Sequence, residues 1–92
     1  MIHSFRGRNT EALFAGRCPV KWRGLRAAAE RRLQMLDSAA DVNDLRSPPG
    51  NRLEKLAGDR KGQYNIRIND QWRLCFRWAD GGAHDVEIVD YH

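Results

Sequence analysis

A carboxylate, a phenol and an imidazole stand on consecutive residues, Asp90-Tyr91-His92, and Arg60, Arg67, Arg73 and Arg77 precede them. The tail groups can accept, donate and shuttle protons near neutral pH. Arginine's planar fork suits bidentate contact with phosphate better than the point charge of lysine. Together these residues point to a site that handles phosphodiesters. Fixed positive charge would hold the phosphate, and titratable groups would serve the attacking and leaving oxygens. His3, His84 and His92 are scattered, and Cys18 and Cys75 show no ligand spacing. No metal site and no cofactor are expected.

Charge is unevenly placed along the chain. Residues 1–36 carry +6, 37–45 carry −3, 46–77 carry +5 and 78–92 carry −4, and 13 of the 16 basic residues are arginine. Such basic blocks suit a polyanionic partner, although on composition alone ordinary surface charge is the default reading. The 92 residues are expected to form one domain, 1–92, with a single two-layer core. Hydrophobic content of 41% against 30% charged places the chain among globular rather than disordered proteins. The apolar stretches are too short to span a membrane, and the first residues lack the apolar core of a signal peptide. The expected compartment is the cytoplasm, where the two cysteines stay reduced.

The elements that must position these groups can be read from periodicity. Ile2 to Phe5 has the makings of an edge strand. Asn9 or Thr10 can cap a brief helix over residues 11–15, stopped by Gly16. Trp22, Leu25, Ala29, Leu33 and Leu36 recur at three- and four-residue steps, which predicts one helix over residues 20–38 with a single apolar stripe. Asp41 to Leu45 reads as one turn and Arg46 to Asn51 as a loop, with a short strand over residues 52–56 and a tight segment over 58–62. Beyond Gln63 the period becomes two. Tyr64, Ile66 and Ile68 form one strand, Trp72, Leu74, Phe76 and Trp78 a second, and a last strand follows the Asp80-Gly81-Gly82 turn with Val86 and Ile88 on one face. Fold class is therefore α+β, with two leading helices packed on a twisted antiparallel sheet.

Register follows from burial. A two-residue loop at Asn69-Asp70 would set Ile66 opposite Arg73 and mix the faces. A three-residue loop, Asn69-Asp70-Gln71, pairs Ile68 with Trp72, Ile66 with Leu74 and Tyr64 with Phe76. The other face then receives Arg67 opposite Arg73, Asn65 opposite Cys75 and Gln63 opposite Arg77. Directly opposed like charges are unfavourable. An anion between Arg67 and Arg73 would relieve them, and a solvated face with splayed arginines is the default alternative. The three tryptophans are assigned to the core, Cys75 to a small-residue position on the polar face, and His84 to a solvated strand start. Asp37, Asp41 and Asp44 read as a solvated cluster unless a partner covers them.

The two leading helices, Gly58-Asp59-Arg60, Asn69-Asp70-Gln71-Trp72-Arg73 and the closing Asp90-Tyr91-His92 resemble HigB toxins, within the RelE-like toxins of type II toxin–antitoxin systems. Leu45-Arg46-Ser47-Pro48-Pro49-Gly50-Asn51 and Ile88-Val89-Asp90-Tyr91-His92 look especially like the GraT-type subgroup. The resemblance implies a small microbial-RNase-type α+β fold and a metal-independent endoribonuclease that enters the ribosomal A site and cuts mRNA. Its implied partners are a HigA-like helix-turn-helix antitoxin, the ribosome with its mRNA, and operator DNA reached through the antitoxin complex. It implies catalytic roles for Arg73, Tyr91, His92, Asp90 and Glu54, and RNA-binding roles for Arg60, Arg67, Lys55 and Arg77. Some HigB relatives carry histidine where this chain has Glu54, and glutamate serves as base in other RelE-like branches. ParE-like proteins poison gyrase on the same scaffold, which makes gyrase inhibition the alternative activity. A non-catalytic nucleic-acid-binding subunit is the other alternative.

Overall fold

A computed structural model describes residues 1–56, 58 and 62–90. Helix α1 spans Arg8–Phe14, and a 3-10 helix, Val20–Leu25, leads into α2, Arg26–Ser38. Short 3-10 turns follow at Val42–Arg46 and Pro49–Asn51. The chain then forms a four-stranded antiparallel sheet in sequential order, β1 (Glu54–Lys55), β2 (Gln63–Arg67), β3 (Trp72–Ala79) and β4 (Gly82–Asp90).

The apolar stripe expected on the second helix is the one the core uses: Trp22, Leu25, Ala29, Leu33 and Leu36 are all buried. They pack on Ile66, Leu74, Phe76 and Val86 from the sheet. The helix is not continuous from residue 20, however. Gly24 sits in its first turns, where glycine weakens an α-helix, and Leu25 leaves helical geometry at φ −115°, ψ 5°. A 3-10 turn at the entrance is the common resolution.

α1 starts earlier than its capping residues suggest. Gly7 occupies the N-cap with φ +109°, and Thr10 lies inside the helix, 3% exposed. Its hydroxyl accepts a hydrogen bond from the Ile88 backbone N–H at 3.1 Å, tying α1 to β4. Thr10→Val keeps the shape and deletes the acceptor, so it should cost about 1–3 kcal/mol through the orphaned amide. Denaturant titration would show a lower midpoint at unchanged slope; an unmoved midpoint would remove this bond from the account.

The hairpin register is the one burial selects. Gln63 pairs with Arg77, Tyr64 with Phe76, Asn65 with Cys75, Ile66 with Leu74 and Arg67 with Arg73. Asn69 Oδ1 accepts from the Gln71 and Trp72 amides at 2.9 and 2.8 Å, which closes the connecting turn. The next hairpin turns through Asp80 and Gly81, both at positive φ, as a two-residue connection requires. Gly82 opens β4 because a Cβ there would lie 2.6 Å from the Met1 carbonyl oxygen.

The amino-terminal segment runs beside β4 without becoming a full strand. Ile2 bridges Ala83 and Phe5 bridges Val86, both parallel. Between them the β3–β4 register slips by one residue, and Asp85 takes up the excess at φ +54°. The bulge breaks the ladder, and Ser4 Oγ instead accepts from the Asp85 amide at 2.9 Å.

Three smaller expectations change. His84 is half-buried, its Nε2 3.0 Å from the Ala79 carbonyl and its ring stacked on His3 at 4.7 Å. Asp37 is half-buried and accepts from the Ile2 amide at 2.9 Å, whereas Asp41 and Asp44 stay exposed, as expected, while forming a reciprocal capping box. Trp72 and Trp78 are half-buried against the core rather than inside it, and Trp72 meets Trp22 edge to face at 6.2 Å. No helix among the described residues is long and apolar enough to cross a membrane.

Candidate active site

The face of the sheet turned away from the helices carries most of the described residues expected at the site. Directly paired residues share a face, so Glu54, Asn65, Cys75 and Glu87 make one row across all four strands. The neighbouring row holds Arg67, Arg73 and Val89. Asn65 and Cys75 are 0% and 1% exposed, so the centre of this nominally polar face is not solvated.

Arg73 covers it. Its Nη1 donates to Asn65 Oδ1 at 2.9 Å and to the Arg52 carbonyl at 3.4 Å, and it lies 3.5 Å from Glu54 Oε1. Arg52 reaches that place in left-handed backbone, φ +47°, at the entrance to β1. The Arg73 side chain is only 15% exposed, whereas Glu54 is half-exposed at 49%. Nη1 is thus held by an amide oxygen and a backbone carbonyl beside an accessible carboxylate.

The opposed arginines diverge toward different carboxylates. Arg67 turns to Asp70 in the hairpin loop while Arg73 turns to Glu54, so each cation has its own carboxylate. Arg32 of α2 donates from Nε to the Arg67 carbonyl at 2.9 Å. Burial, then the charges of Arg31 and Arg67, lower the pKa of Arg32 from its ordinary value. Arg77 pairs with Asp85 across the bulge at 3.4 Å, and Glu87 with Arg6 at 4.0 Å.

Of the residues expected at the site, Arg73, Glu54, Arg67 and Arg77 share this face. Lys55 does not: it pairs with Tyr64, on the helix side of the sheet, because successive strand residues point opposite ways. Asp90 pairs with Trp72 and accepts from Gln71 Nε2 at 3.1 Å, again on the other face from Arg73. Arg60, Tyr91 and His92 lie outside the described residues. Sequence reasoning missed the role of Asn65, although the register that set it opposite Cys75 already put it beside Arg73. A cleft of about 490 Å³ bordered by Arg6, Arg8, Lys21, Trp22 and Glu87 does not include Arg73. Among the described residues, no three His, Cys, Asp or Glu side chains cluster to hold a metal ion.

The family model of the HigB-like toxins, RelE-like toxins of the type II toxin–antitoxin system HigB, matches residues 23–92. The chain belongs to this family. Toxin HigB-1 of Vibrio cholerae serotype O1 is 55% identical over 53 residues, covering 58% of this HigB-like chain and 56% of the relative. Endoribonuclease HigB of Proteus vulgaris is 34% identical over 61 residues, covering 66% and 65%. The matches thus span less than two thirds of these curated relatives. Among solved structures, YafQ from E. coli strain BL21(DE3) superposes with a TM-score of 0.63 at 12% identity, over 98% of this chain and 93% of that one. The YoeB–YefM complex from Staphylococcus aureus gives 0.62 at 20% identity, over 100% and 98%. The α+β fold of this HigB-like chain is that of the RelE-like toxins.

Proposed function

We propose that this HigB-like chain is a ribosome-dependent endoribonuclease that cleaves mRNA without a metal ion and so arrests translation. The observation that carries the reading is Arg73, fixed by Asn65 and the Arg52 carbonyl with the Glu54 carboxylate 3.5 Å away. Glu54 takes the proton of a ribose 2′-hydroxyl, and the freed oxygen attacks the adjacent phosphorus. Arg73 holds the charge that gathers on the phosphoryl oxygens. The bond to the 5′-oxygen breaks, that oxygen receives a proton from Tyr91 or His92, and a 2′,3′-cyclic phosphate remains. Val89 is the residue opposite Arg73, and Asp90-Tyr91-His92 follow it directly in sequence, which supports a role for that tail. Asp90 acts as a positioning group through Gln71. Arg67, Arg77 and Arg60 contact the flanking phosphates, and Lys55 meets RNA from the sheet edge.

The neutralising partner is a HigA-like helix-turn-helix antitoxin, which also carries the pair to operator DNA; the fold neighbour YoeB is itself known in complex with YefM. The site of action is the cytoplasmic ribosome. Purified chain added to a translating extract should generate new mRNA 5′ ends only where ribosomes are engaged, and far fewer on free RNA. Intact messages with inhibited gyrase supercoiling would replace this reading with the ParE-like one, and salt-sensitive RNA binding without cuts would leave a binding subunit.

A further inference from the structure

We propose that Asn65 is a positioning residue that holds Arg73 in its working geometry and is kept at a cost to stability; this rests on the ribonuclease reading above. Asn65 is fully buried at the centre of the site face, between Glu54 on one side and Cys75 on the other. A guanidinium only donates, so the amide must turn its oxygen to Arg73, as it does at 2.9 Å. That choice sends Nδ2 the other way, where it has no hydrogen-bond partner among the described residues. Buried amide donors in folded proteins are nearly always satisfied, because leaving one unpaired forfeits its hydration for nothing. An apolar residue of equal size would avoid the cost and pack as well beside Cys75 and below Arg73. What only the amide supplies is an acceptor that cannot neutralise the cation. An aspartate in its place would pair with Arg73 and cancel the charge the phosphate needs. Asn65 thereby aims the guanidinium without neutralising it, beside the half-exposed Glu54 carboxylate 3.5 Å away.

The test compares the parent chain with Asn65→Leu, Asn65→Ala, Arg73→Ala and the Asn65→Leu/Arg73→Ala double variant. Each is assayed for mRNA cleavage on programmed ribosomes and for thermal melting. Asn65→Leu should melt at or above the parent temperature yet lose about 10- to 100-fold in kcat, with KM changed far less. Asn65→Ala should lose a similar factor, which keeps the comparison available should the leucine variant not fold. In the Arg73→Ala background Asn65→Leu should cost nothing further, since a residue that acts through Arg73 has nothing left to aim. Parent-like cleavage by both Asn65 variants overturns the proposal, and so does an undiminished loss in the double variant. A parent that leaves ribosome-bound mRNA intact overturns the ribonuclease reading itself and this one with it.

Discussion

Arg73→Ala should slow mRNA cleavage on ribosomes by about 100- to 1000-fold, the range lost when a fixed donor to developing charge is removed. The guanidinium is 15% exposed and anchored at 2.9 Å to a buried amide, so solvent cannot supply an equivalent. Arg73→Lys should recover little of the loss. A lysine ammonium is a point charge on a flexible stem and cannot reproduce the planar fork that meets a phosphate bidentately. The alanine variant should remain folded, at a cost of about 1–3 kcal/mol for the Asn65 oxygen left without its donor. Tyr91→Ala and His92→Gln should fall by about 100-fold or more where their proton transfer is lost, and each should relieve growth arrest in induced cells. Mapping mRNA 5′ ends at equal protein level reads all of these. Undiminished cutting by Arg73→Ala, Tyr91→Ala and His92→Gln alike would leave the assignment without its chemistry.

Phe76→Ala should do the reverse, removing stability while sparing the site. Phe76 lies on the helix side of β3, 1% exposed, stacked on Tyr64 at 6.0 Å and edge-on to Trp78 at 6.4 Å. Truncating a buried phenylalanine costs about 3–5 kcal/mol through lost burial and the cavity left behind. Against a total of roughly 5–15 kcal/mol for a small domain, that is a large share. The melting midpoint should drop by more than about 10 °C, and the variant should be scarce in cells. The molecules that remain folded should still cut, since Phe76 faces away from Arg73. A melt within a degree or two of the parent would show that β3 does not anchor the core.

The contrast between these two side chains runs through the whole domain. Residues on the helix side of the sheet were legible in the sequence because burial is an all-or-none constraint on alternating positions. It selected the three-residue hairpin loop, and all five β2–β3 pairs agree with it. The stripe from Trp22 to Leu36 was legible for the same reason, and only its first turns differ, where Gly24 weakens the α-helix.

The site face obeys no comparable rule. Register brings Arg67 and Arg73 side by side, but the direction of a long side chain depends on which carboxylate lies within reach. Asp70 and Glu54 settled that, and Glu54 is placed by β1 pairing across a stretch whose length the pattern does not specify. Pairing of β1 with β2 put Lys55, and pairing of β3 with β4 put Asp90, on the face opposite Arg73. Asn65 and Cys75 are buried on that face, and the bond from Arg73 to Asn65 is a contact between strands that no local pattern records. Sequence alone thus determined which residues of β2 and β3 are neighbours, because hydrophobic burial tolerates one register there. Tertiary structure decided what those neighbours do to one another, because competition among charges is resolved only when every strand is in place.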